Sequence, residues 1–136
     1  MKGLIDLNKI LIVLVIVSMP ILHSACEDEG VKVDDVIIPS SNVSYAEHIQ
    51  PVFNSKCALS GCHDDASKQG GLGLTTWLNT TSNFLVVFPG NPDASKLVLA
   101  VEGKTTNPMP PPGRWPLTKN QITAIRTWVK EGAKNN

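Results

Sequence analysis

Cys57-Ala58-Leu59-Ser60-Gly61-Cys62-His63 decides the reading of this 136-residue chain. Two thiols are followed directly by an imidazole. A disulfide between Cys57 and Cys62 would use both thiols and is natural in an oxidising compartment, but it leaves His63 without a role. Covalent haem uses all three groups: the thiols add to the two vinyl groups, and the neighbouring histidine binds the iron from the same side. The common spacing is CxxCH. Here four residues separate the cysteines, which makes this the CxxxxCH variant.

The N-terminus gives the compartment. Lys2 and Lys9 precede an apolar run, Ile10 to Val17, that continues to Leu22, and Ser24 and Ala25 are small. This is the pattern of a secretory signal over residues 1–25, too short and wrongly flanked for a spanning helix. Cys26 follows at once, and Leu22-His23-Ser24-Ala25-Cys26 resembles a bacterial lipoprotein box, with His23 where that pattern prefers leucine. Acylation of Cys26 is the expectation; an unused thiol and a retained N-terminal anchor are the alternatives. The protein is thus expected in the cell envelope, lipid-anchored and either periplasmic or surface-exposed. Glu27-Asp28-Glu29 resembles the surface-export signals of some outer-membrane lipoproteins and reads equally well as a solvated tether.

The chain has 12 basic and 12 acidic residues. Loss of residues 1–25 removes only Lys2, Lys9 and Asp6, so the balance stays near neutral. With no basic patch, nucleic acid is not expected as a partner. Residues 26–42 read as a lipidated acidic tether ending in Pro39-Ser40-Ser41-Asn42, and residues 43–136 as one small domain. A domain of this size buries a modest fraction of its surface and gains from a staple, which a large apolar cofactor would supply.

Within the domain the pattern is helical. Ser44-Tyr45-Ala46-Glu47 predicts a capping box, with Ile49, Val52 and Phe53 on the apolar face and Pro51 kinking or restarting the helix. Asn91-Pro92 predicts a capped helix over Asp93 to Val101, stopped by Gly103. Thr118 to Gln121 is a second capping box; Ile122, Ile125, Trp128 and Val129 form one stripe, and Gly132 ends the element. Gly70-Gly71-Leu72-Gly73-Leu74 reads as a flexible segment without the Lys-Ser or Lys-Thr pair of a phosphate loop. No stretch of useful length alternates as a strand, and Leu85 to Phe88 is too short to decide. The expected fold is all-α, three or four helices joined by long loops.

Met109 is the only methionine after residue 25, and prolines frame it in Asn107-Pro108-Met109-Pro110-Pro111-Pro112-Gly113. Fixing the loop lowers the entropy lost when a thioether binds a metal. Filling a core gap is methionine's ordinary use, for which a proline-framed polar loop is a poor place. Capped helix, cysteine motif, proline-framed methionine and apolar C-terminal helix, in this order, resemble the class I cytochrome c fold. Glu47-His48-Ile49-Gln50-Pro51-Val52-Phe53, Cys57 to His63, Gly71-Leu72-Gly73-Leu74, Pro89-Gly90-Asn91-Pro92, Met109-Pro110-Pro111 and Trp128-Val129-Lys130-Glu131-Gly132-Ala133 resemble, more closely, the planctomycete-type cytochrome c domain of secreted bacterial proteins. The resemblance spans about residues 44–134. The departure is the CxxxxCH spacing, also found in multihaem cytochromes of the c3 type.

The resemblance implies one covalent haem c held by Cys57 and Cys62, with His63 as proximal and Met109 as distal iron ligand. Gly61 would let the backbone fold back while both sulfurs reach the porphyrin, and the helix of Phe53 would pack on that of Trp128. A haem contact by Trp128 is the lesser reading beside ordinary core packing. His48 is the other histidine after residue 25; a surface or satisfied side chain is its ordinary role, and as a substitute for Met109 it would give a bis-histidine haem. Asp64 and Asp65 are expected in solvent, and no base stands with them to suggest acid–base catalysis.

The implied function is electron transfer to redox partner proteins, not catalysis: a methionine in the sixth position raises the potential and leaves no open site. A haem-free scaffold or binding lipoprotein with a Cys57–Cys62 disulfide, and a haem sensor or peroxidase-like domain with a labile distal ligand, are the alternatives.

Overall fold

The computed structural model describes residues 32–136; the expected signal segment, the expected acylation site Cys26 and the first part of the expected tether lie outside the described residues. The described part is helical, with no strand among its residues. A π-helical turn, Tyr45–Ile49, runs into α1 (Gln50–Lys56); a 3-10 turn, Gln69–Gly71, precedes α2 (Trp77–Thr81); a second, Pro92–Ala94, precedes α3 (Lys96–Val101); α4 (Lys119–Lys130) is the longest. This is the expected small all-α, cytochrome c-like arrangement with long connections.

Pro51 explains the first element. It has no N–H to give and its ring crowds the carbonyl four residues back, so the turn before it widens: the Ser44 carbonyl accepts from both His48 N and Ile49 N, at 3.1 and 3.3 Å. α1 then starts anew with proline in its first turn, where no N–H is missed. The capping box is only half made. Ser44 Oγ accepts from Glu47 N, but the Ser44 N–H goes to His48 Nδ1 at 2.9 Å. Tyr45 N donates to Asn136 Oδ1 and Ala46 N to the Asn136 carbonyl. Four amides that a helix start leaves without partners are thereby satisfied, with Asn136 and His48 in the place given to Glu47.

α4 matches its pattern most closely. Both halves of the Thr118–Gln121 capping box form, and Ala124, Ile125, Trp128 and Val129 are buried, while Ile122 is only partly covered. Trp128 and Phe53 are fully buried, and Tyr45 joins them. Its ring lies 6.4 Å from Phe53, edge-on, and 5.2 Å from Trp128, within the range where aromatic pairs attract. The Tyr45 hydroxyl meets Thr80 Oγ1 at 2.8 Å, and burial pushes its pKa up to about 12. The expected packing of the first helix on the last therefore runs through Tyr45.

Two segments differ from the sequence reading. The helix expected over Asp93 to Val101 is broken at Ser95, which is extended (φ −86°, ψ 114°) and buried, its hydroxyl accepting from Phe88 N and reaching the Phe88 and Asn91 carbonyls. Satisfying that loop competes with continuing the helix. The described part of the tether, in turn, lies along the domain. Ile38 is buried, and its N–H and C=O pair with the Asn120 side-chain amide at 2.8 and 2.9 Å. Gln121 Nε2 donates to the Val33 carbonyl and to Asp34, Lys56 pairs with Asp34 at 2.7 Å, and the Glu131 carboxylate accepts from Asn42 N and Val43 N.

Candidate functional site

The cysteine motif begins where α1 ends. Cys57 N and Ala58 N both donate to the Phe53 carbonyl, closing the helix. The chain then turns back: Gly61 takes φ +79°, a left-handed conformation that side chains resist, as its expected role requires. His63 N donates to the Cys57 carbonyl at 3.2 Å and Cys62 N to the Leu59 carbonyl at 2.9 Å. The four intervening residues thus loop out while Cys57, Cys62 and His63 share one compact turn.

The glycine-rich segment seats this turn. Gln69 N donates to the Cys62 carbonyl and Leu74 N to the His63 carbonyl, both at 2.9 Å. His63 Nδ1 lies 3.0 Å from the Leu72 carbonyl oxygen. A carbonyl can only accept, so this bond puts the proton on Nδ1 and leaves the Nε2 lone pair for another partner. A ligating imidazole needs that tautomer and a fixed ring plane. The carboxylates beyond the motif take part as well. Asp64 accepts from Ser67 N while Ser67 Oγ accepts from Gly61 N, and the Ser67 hydroxyl and amide hold the Asp64 carboxyl below the usual aspartate range. Asp65 accepts from Thr75 Oγ1 and Asn79 Nδ2. Asp65 is exposed and Asp64 only partly covered, in keeping with the solvent position expected of them, and both also brace the turn.

Cys57 and Cys62 are free thiols, each partly exposed. Burial, and after it the neighbouring Cys62, push the Cys57 thiol up to about 12. This is the opposite of the depressed value that marks a redox-active thiolate. Among the described residues, no cluster of three or more His, Cys, Asp and Glu side chains could hold a metal ion. Two thiols beside an imidazole with its Nε2 free are, by contrast, the donor set that a covalently held haem requires, and on this observation the residues fit the group.

Met109 lies in the proline loop that follows α3. Its backbone N–H donates to the Ala100 carbonyl at 2.9 Å, tying the proline loop to the end of α3. Its side chain is partly exposed and lines a cavity of about 400 Å³ with Val101, Glu102, Pro110, Leu117 and Ile122. None of Cys57, Cys62 and His63 lines that cavity. The structure thus gathers Cys57, Cys62 and His63 into one turn, while Met109 lines a cavity that none of the three borders.

Residues 60–113 match the family model described as Planctomycete cytochrome C. The match opens after Cys57, contains Cys62, His63 and Met109, and covers less than half of the chain. No curated protein and no solved structure matches. The helical domain, the cysteine–histidine turn locked by Leu72 and this match agree, and over residues 60–113 the chain is similar to the planctomycete-type cytochrome c domain.

Proposed function

We propose that this protein is a monohaem electron carrier held outside the cytoplasm by a lipid on Cys26. The observation that carries the reading is the His63 Nδ1 to Leu72 carbonyl bond, which holds the imidazole in the ligating tautomer beside two unpaired thiols. Cys57 and Cys62 would hold the haem through thioethers, His63 would offer Nε2 and Met109 its sulfur. Bound there, haem supplies a one-electron couple, its potential raised by a thioether ligand. A filled sixth position leaves no site for oxygen or peroxide, which favours transfer between redox proteins over catalysis.

A haemochrome spectrum after expression with the haem-attachment machinery tests this. The expected result is a bis-thioether c-type spectrum that persists after acid–acetone extraction. A colourless, folded protein whose Cys57 and Cys62 are oxidised to each other would decide for the scaffold reading. The sensor or peroxidase-like reading draws support from Met109 lining a cavity that His63 does not line; rapid cyanide binding by the unmutated, oxidised protein would decide for it.

Anchoring is tested separately. Mass spectrometry of the N-terminal peptide should find Cys26 as the diacylated first residue, and a soluble protein carrying an unmodified Cys26 thiol would exclude the anchor.

A further inference from the structure

Arg126, on α4, reaches two carboxylates. Its Nη1 donates to Glu102 Oε1 at 2.9 Å and its Nη2 pairs with Asp93. Asp93 lies in the turn before α3, and Glu102 is the residue that caps α3. Lys104 Nζ is 2.7 Å from Glu102 Oε2. The Glu102 side chain is only 13% exposed. Exposed ion pairs of this kind contribute little, but a largely covered carboxylate depends on its cations.

The loop between Glu102 and Met109 is closed on the end of α3. Gly103 N donates to the Ala100 carbonyl, Lys104 N to the Leu99 carbonyl, and Met109 N again to the Ala100 carbonyl. Glu102 and Met109 line the same cavity. The methionine loop is therefore held at two places: by main-chain bonds to α3, and at its first residue by the guanidinium of Arg126. Removing the guanidinium leaves Glu102 with the exposed Lys104 alone, and its carboxylate gains by turning to water and drawing the head of the loop with it.

We propose that Arg126, acting through Glu102, is a positioning residue for Met109, holding residues 102–109 so that the thioether is presented in one place. The inference rests on Met109 as the sixth ligand. It is tested in the haem-loaded full chain by three readouts: the rate of cyanide binding to the oxidised protein, the near-infrared sulfur-to-iron band, and hydrogen exchange of the Met109 amide.

Arg126→Gln should raise the cyanide rate and the amide exchange roughly five- to tenfold, the scale expected for the net loss of one partly exposed hydrogen bond, and weaken the band. Arg126→Lys should restore part of each, since a single ammonium can meet Glu102 but lacks the fork. Asp93→Asn should leave all three close to the parent, because the Glu102 contact remains. If Arg126→Gln lowers resistance to urea and moves none of the three, Arg126 is structural only and the proposal is overturned. Met109→Ala run beside it separates the two levels. An opened site in Met109→Ala with no change in Arg126→Gln overturns the positioning role alone, whereas unchanged cyanide binding in Met109→Ala overturns the ligand assignment and the positioning role with it. Should Arg126→Gln not fold, Glu102→Gln, which keeps the shape and loses the charge, must move the readouts in the same direction.

Discussion

Met109→Ala should convert a haem-loaded protein that resists small ligands into one that binds cyanide when oxidised and carbon monoxide when reduced. The substitution isolates the sulfur. The bond that fixes the loop is made by the Met109 backbone N–H to the Ala100 carbonyl, and alanine keeps it. The neighbouring prolines keep the backbone stiff, so the loop stays while its donor goes. The near-infrared sulfur-to-iron band of the oxidised protein should vanish and the reduction potential should fall, because a thioether favours the reduced iron. An unchanged spectrum, with loss of the low-spin signature in His48→Ala instead, would move the sixth position to His48. That histidine already accepts the Ser44 N–H through Nδ1, so His48→Ala is expected to loosen the helix start and leave the spectrum intact.

Trp128→Ala should cost about 3–5 kcal/mol of stability, the usual range for truncating a buried aromatic residue. The indole is fully buried in contact with the Tyr45 ring, and its Nε1–H donates to the Lys134 carbonyl at 2.9 Å. Its removal leaves a void between the first turn and α4 that Phe53 and Ile125, themselves fully buried, cannot fill without shifting off their own contacts. Against the roughly 5–15 kcal/mol available to a domain, such a loss takes a large part of the total. Urea unfolding followed by far-ultraviolet circular dichroism measures it, with the midpoint moving and the slope kept. Trp128→Phe, which keeps most of the volume, should cost clearly less. A loss below about 1 kcal/mol in Trp128→Ala would show that the aromatic cluster does not hold the terminal segments together.

The parts of this protein that the sequence determined by itself are those in which cause and effect lie within one or two turns. Thr118 and Gln121 sit one turn apart, and their capping box forms as written. Pro51 acts on the residues just before it, and the restart occurs where proline demands it. Gly61 and the spacing of Cys57, Cys62 and His63 prescribe a chain that doubles back, and it does. Other features needed partners remote in sequence. His63 is locked by a backbone carbonyl at Leu72, Tyr45 and Ala46 are capped by Asn136, and Ile38 is held by an amide on Asn120. Gln121 serves both kinds, closing the capping box with its oxygen and gripping Val33 and Asp34 with its nitrogen. Every residue carries a carbonyl and nearly every one an N–H, so composition gives no sign of which will be used across the fold. That choice belongs to the packing of Tyr45, Phe53 and Trp128, which decides which loops come within hydrogen-bond reach.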